Sequence, residues 1–96
     1  MKLLLRRTGG TAGIPREWRV GPKHFSSKNS VQFQKLLNQA RFFKLPSELK
    51  DKSPARDAFW YELFVEENGR RHSVRRCEAL ASLSFQKCVR WIVLTF

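Results

Sequence analysis

Acidic residues are scarce in this 96-residue chain, which has 8 Asp and Glu against 19 Lys and Arg and a formal net charge of +11. This imbalance favours a negatively charged partner, such as nucleic acid, an anionic membrane or an acidic protein, although a basic solvated surface explains it equally well. The length predicts one domain, residues 1–96, with a modest core. Because 42% of the residues are hydrophobic, the composition indicates a folded chain.

Cysteine and histidine are also sparse, with two of each. Cys77 and Cys88 form no CxxC pair, and His24 and His72 are distant from them in sequence. A structural zinc site needs four ligands at regular spacing, so no metal site is predicted. The two cysteines are interpreted as buried free thiols or as a disulfide.

Catalytic motifs are missing as well, since the chain has neither HExxH nor GxSxG. Glu62, Glu66 and Glu67 are interpreted as surface charges of a hairpin, and His72 as a hydrogen-bonded core histidine. These groups show no mutual arrangement of the kind that an active site needs. We therefore predict that the protein is not an enzyme and has no cofactor.

Long apolar runs are absent, and none approaches the roughly 18 residues of a membrane span. The N-terminal MKLLLRR holds three leucines, fewer than a signal peptide requires. On this basis we expect a cytoplasmic protein without a membrane partner.

Alternating apolar and polar residues predict two β-hairpins. One joins strands over 2–8 and 16–20 through a glycine-rich loop. The other spans 59–77 and turns at Asn68-Gly69, the preferred pair for a type I′ turn. A two-residue loop there sets the cross-strand pairs, which are Val65 with His72, Leu63 with Val74, Tyr61 with Arg76, Glu66 with Arg71 and Glu62 with Arg75.

Two helices are predicted from apolar residues at intervals of three and four. The first covers 26–44, is capped by Ser27 or Ser30, and ends before Pro46. The second covers 82–96. The predicted fold is α+β in the order β-β-α-β-β-α, a four-stranded antiparallel sheet with both helices packed on one face.

The glycine-rich stretch RTGGTAGI, residues 7–14, raises the question of phosphate binding. Its glycine spacing matches neither GxGxxG nor GxxxxGK[ST], and Ile14-Pro15 leads into a strand rather than a helix. The stretch is therefore interpreted as the turn of the first hairpin, slim enough to approach a neighbouring loop or another protein.

Four blocks of sequence, in order, resemble the emfourin family: RTGGTAGI, ARFFKLP at the end of the first helix, DAFWYELFVEENG, and RRHSV. The resemblance runs from Leu3 to about Trp91. It implies a bacterial inhibitor of thermolysin-like, protealysin-type metallopeptidases that binds tightly in or over the zinc-containing cleft. We expect the free inhibitor to be a monomer.

The predicted topology adds a candidate contact surface. If the first helix returns the chain to the glycine-loop end, loop 45–57 lies beside that loop. We predict that both loops bind the protease. Ile14, Leu45 and Leu49 serve either as apolar anchors or as residues that close the core. Charged residues of the second loop complement an acidic cleft or are simply solvated. The predicted protease-binding residues are Gly9, Gly10, Thr11, Ala12, Gly13, Ile14, Leu45, Leu49, Lys50, Lys52 and Arg56.

An alternative function is nucleic-acid binding through the Arg70–Arg76 hairpin, where basic residues cluster and Trp60 and Phe64 lie on the outer face. A third interpretation is an interaction domain without inhibitory activity.

Overall fold

The computed structural model describes residues 1–10, 13–48 and 58–96. Its four strands form one antiparallel sheet in the order β2-β1-β3-β4. The predicted α+β architecture is confirmed. The strands are β1 (Lys2–Gly9), β2 (Arg16–Val20), β3 (Phe59–Glu67) and β4 (Arg70–Cys77), and the helices are α1 (Ser27–Ala40) and α2 (Leu83–Thr95).

The β3-β4 hairpin has the predicted register, including Leu63 opposite Val74 and Glu62 opposite Arg75. Asn68 and Gly69 adopt φ angles of 49° and 78°. A type I′ turn requires positive φ at both central positions, which this pair tolerates better than other residues. The turn chemistry therefore determines which side chains of both strands face the core.

One face of the sheet carries the core. Leu5 pairs with Leu63 on β3 and with Trp18 on β2, and all three side chains are buried. Both helices pack on this same face, as predicted, and contribute to one continuous apolar cluster. Its helical members are Phe33, Leu37 and Ala40 from α1 and Phe85, Cys88, Val89 and Ile92 from α2.

Helix α1 differs from its predicted bounds at both ends. Its cap is Ser26, whose hydroxyl accepts a hydrogen bond from the Asn29 amide at 3.0 Å, so the prediction of Ser27 or Ser30 was wrong. The helix ends at Ala40 because Arg41 adopts a left-handed φ of 51°. A short 3-10 turn over Phe42–Lys44 follows, and it places Phe42 in the core at 1% exposure.

The end of α1 lies beside the Asn68-Gly69 turn rather than beside the glycine loop. The Arg70 guanidinium lies 4.1 Å from the centre of the Phe43 ring, and the Phe42 ring meets that of His72 edge-on at 5.5 Å. The prediction that α1 returns the chain to the glycine-loop end was therefore wrong. Packing of Phe42 and Phe43 against β4 determines where the helix finishes.

The segment before α1 also joins the core. Phe25 stacks near Phe33 at 6.1 Å and meets Phe96 edge-on at 5.5 Å between ring centres. In the described part of the chain no helix is both long and apolar enough to cross a bilayer.

Candidate functional site

Three glycines shape the loop that follows β1. Gly9, Gly10 and Gly13 have φ angles of 86°, 78° and 66°, which residues other than glycine rarely adopt. The Gly10 amide donates a hydrogen bond to the Ala58 carbonyl at 3.3 Å, and Gly9 pairs with Phe59. The glycine loop is thus tied to the first residues of β3. We call this region, residues 9–10, 13–14 and 58–59, the glycine-loop end.

Two arginine side chains stack on aromatic rings of the strands next to the glycine-loop end. The Arg7 guanidinium carbon lies 4.8 Å from the centre of the Phe59 ring and 5.8 Å from that of Trp18. Arg16, the cross-strand partner of Arg7 on β2, lies 4.8 Å from the centre of the Trp18 ring. Such cation–π contacts contribute about 0.5–1 kcal/mol each at exposed sites. They hold β1, β2 and β3 together just below the loop.

Two predicted anchors occupy very different places. Ile14 is 73% exposed at the glycine-loop end, so it is free to contact a partner. Leu45 is half-buried against the core, and its carbonyl accepts a hydrogen bond from His72 Nε2 at 2.6 Å. His72 is level with Leu3, and Gly9 lies six positions further along β1, so about 20 Å separates Leu45 from the glycine loop along the strands.

The remaining nine predicted residues fall into two groups. Gly9, Gly10 and Gly13 share the glycine-loop end with Ile14. The other six lie outside the described residues; they are Thr11, Ala12, Leu49, Lys50, Lys52 and Arg56.

Arg76 is a structural residue that the sequence interpretation missed. It is 6% exposed, and its guanidinium donates hydrogen bonds to the carbonyls of Pro46 at 2.7 Å and Arg75 at 2.8 Å. Burial lowers the pKa of Arg76. The Arg75 amide also donates to the Ser47 carbonyl at 2.7 Å. The chain around Pro46 therefore runs along the outer edge of β4. The predicted pairing of Arg76 with Tyr61 could have indicated this structural role, because it places both residues on the core face.

The arginine cluster of β4 is divided between the two faces of the sheet. Arg70 and Arg76 belong to the helix side, while Arg71 and Arg75 are exposed on the other. Arg75 itself stacks over Trp60, 4.2 Å from the ring centre. The predicted nucleic-acid surface therefore lacks a contiguous patch formed by all four cations.

Glu67 is not the surface charge that the sequence suggested. It is 5% exposed, and its Oε1 accepts hydrogen bonds from Gln34 at 3.2 Å and Arg70 at 3.0 Å. Glu67 continues the inward-facing series of Leu63 and Val65, so strand periodicity places it beneath α1. It joins α1 to the sheet at the end opposite the glycine loop.

Nucleophilic and metal-ligating groups do not gather among residues 1–10, 13–48 and 58–96, where no three His, Cys, Asp or Glu side chains could share a metal ion. Both cysteines are buried and unbonded to each other. Burial in the core raises the pKa of the Cys88 thiol to about 12, which suppresses its reactivity at neutral pH.

The fold is a small α+β domain, and its glycine-loop end carries the exposed apolar side chain of Ile14. The model of the Emfourin family matches residues 5–93, nearly the whole chain. The chain therefore belongs to the Emfourin family, which confirms the resemblance. Membership in this inhibitor family is consistent with a metallopeptidase-inhibitor role. Comparisons with curated proteins and with solved structures give no significant match.

Proposed function

We propose that this chain is a single-domain, monomeric inhibitor of thermolysin-like, protealysin-type zinc metallopeptidases of bacteria. Its glycine-loop end covers the active-site cleft of the protease. Family membership supports the inhibitory role. The observation that carries the choice of surface is the exposure of Ile14, at 73%, on a loop tied to the sheet.

A supported loop suits tight binding because less conformational entropy is lost on association. The Gly10–Ala58 hydrogen bond and the stack of Arg7 on Phe59 both restrain the glycine-loop end before any partner arrives. The same restraint opposes the distortion that cleavage of an inserted peptide bond would need. Ile14 supplies a large apolar side chain, the kind that the resemblance implies for the main specificity pocket of these enzymes.

The positive charge of the inhibitor assists the encounter. A net charge of +11 accelerates association with an acidic cleft, chiefly through the rate of binding. Arg7 and Arg16 contribute this charge close to the glycine loop. Ile14 thus makes the apolar contact with the protease, and the basic surface supplies the long-range attraction to its cleft.

The test is a titration of the purified protein into a thermolysin-like protease assay with a peptide substrate. We expect stoichiometric loss of proteolysis. Ile14→Ala should raise the inhibition constant about 10- to 100-fold, since burying such a side chain contributes about 1.5–3 kcal/mol. Val31→Ala is the matched control, because Val31 is 69% exposed on α1 and lies outside the proposed contact.

Two results would overturn parts of this proposal. Undiminished proteolysis at stoichiometric inhibitor, together with salt-sensitive binding of DNA or RNA, would replace it with the nucleic-acid function. Equal inhibition by wild type, Ile14→Ala and Val31→Ala would keep the inhibitory role and reject the glycine-loop end as the contact.

A further inference from the structure

A groove runs between α2 and the core face of the sheet, with a volume of about 380 Å³. One wall carries Arg7 and Tyr61, which are separated from Gly9 and Phe59 by one residue each. The other wall is formed by α2. The groove therefore borders the glycine-loop end, and Arg7 of the groove stacks on Phe59 of that end.

The α2 wall combines exposed apolar and basic side chains. Leu83 and Leu94 are 68% and 79% exposed, although α2 already buries four other residues in the core. They lie eleven positions apart, about 16 Å along the helix axis and close to three full turns. Lys87 and Arg90 lie between them on the same side. The helix thus presents a stripe that alternates in chemistry from leucine to cation to leucine.

The charge of the groove selects the chemistry of its occupant. Arg7, Lys87 and Arg90 bring three cations to its lining, whereas Glu78 is the single acidic residue among the described residues that line it. The two exposed leucines offer apolar contacts at the ends of the same stripe. A complementary partner segment carries carboxylates in its middle and apolar side chains at its ends.

We infer that this groove binds an acidic, apolar-flanked surface segment of the target protease, beside the cleft that the glycine loop covers. The inference rests on the proposed function and extends it to a second contact. Because Arg7 lines the groove and also stacks on Phe59, the two contacts form one continuous surface. A protease that lacks acidic residues beside its cleft is then inhibited less strongly, which makes the groove a determinant of specificity.

The test uses two double variants that change the net charge equally, from +11 to +7. In the groove variant, Lys87→Glu and Arg90→Glu reverse the charge of two groove residues. In the α1 variant, Lys28→Glu and Lys35→Glu reverse the charge of two exposed residues of α1. We expect the groove variant to raise the inhibition constant about 10- to 100-fold and the α1 variant to change it several-fold at most. The salt dependence of inhibition should become flatter in the groove variant. Circular dichroism and urea unfolding verify that both variants fold.

The apolar part of the stripe has its own test. Leu94→Ala should weaken inhibition by about tenfold, the effect of losing part of a leucine contact. Val31→Ala again provides the control at similar exposure. Inhibition that is unchanged in both variants contradicts an apolar contact at the groove.

The outcomes separate this inference from the proposed function. If the wild type inhibits and the groove variant inhibits equally well, the groove is rejected as a contact and the inhibitor assignment is unaffected. Equal weakening by both double variants attributes the effect to long-range charge and also rejects the groove. A wild type that fails to inhibit rejects the proposed function itself. If the groove variant inhibits normally but, unlike the wild type, does not sediment with phosphatidylserine-containing vesicles, the groove binds a membrane surface instead.

Discussion

Replacing the glycines of the first loop by alanine, one at a time, separates backbone strain from steric overlap at the glycine-loop end. Gly13 has a φ of 66°, and no heavy atom of the described residues lies within 4 Å of a Cβ added there, so Gly13→Ala isolates the strain. A left-handed backbone costs a non-glycine residue about 1 kcal/mol. With about 4 °C of melting temperature per kcal/mol in a domain of this size, the melting temperature should fall about 4 °C.

The other two glycines add overlap to the same strain. The new Cβ of Gly10→Ala would overlap the ring of Phe59 and disturb its stacking with Arg7, so we expect a loss of about 2 kcal/mol. The Cβ of Gly9→Ala would overlap the carbonyl oxygen of Ala58, a main-chain atom that also accepts the Gly10 hydrogen bond. Separating the strands there should cost about 3 kcal/mol or more.

Urea unfolding monitored by tryptophan fluorescence measures the series, because Trp18 is buried directly below the loop. Gly21→Ala is the control, since Gly21 has a φ of −88° and an added Cβ there meets no atom of residues 1–10, 13–48 and 58–96 within 4 Å. Its stability should stay within a few tenths of a kcal/mol of wild type or rise slightly. Equal losses at Gly9, Gly10 and Gly13 would refute the close approach of β1 to the start of β3.

Further predictions concern the core and the helix caps. Arg76→Met should destabilise the fold by about 3 kcal/mol in urea unfolding, since three carbonyls lose a donor, whereas Arg71→Met on the exposed face should cost less than about 0.5 kcal/mol. Because burial raises the pKa of Cys88 to about 12, the folded state retains a proton that the unfolded state releases above pH 9. Stability should therefore fall as pH rises above 9, by up to about 1.4 kcal/mol per pH unit from this group, and Cys88→Ala should remove that part of the slope; an identical slope in the variant would contradict the assignment. In thermal unfolding, Ser26→Ala should lower the free energy of unfolding by about 1 kcal/mol and Ser30→Ala should lower it little, because Ser26 caps α1. A larger loss in Ser30→Ala than in Ser26→Ala would instead identify Ser30 as the cap.

Strand pairing was the part of the fold most readily predicted from sequence. Asn68-Gly69 sets the turn, and the opposite charges of Glu62 and Arg75 face each other in the predicted register. Residue order along the strands also indicated that Arg76 faces inward, although its role was missed. Placement of Leu45 could not be predicted, since it depends on the path of α1 rather than on any local pattern.

The amino-acid sequence by itself determined the four strands, the register of the second hairpin and the family to which the chain belongs, because turn residues and strand alternation act over a few neighbouring positions. Tertiary structure alone decided the end of α1, the hydrogen bond that joins α1 to Glu67 and the course of the chain along β4. Each of these depends on packing between distant segments: Phe42 against His72, Gln34 against Glu67, and Arg76 against Pro46. Such contacts form only when the whole core assembles, so no local pattern records them.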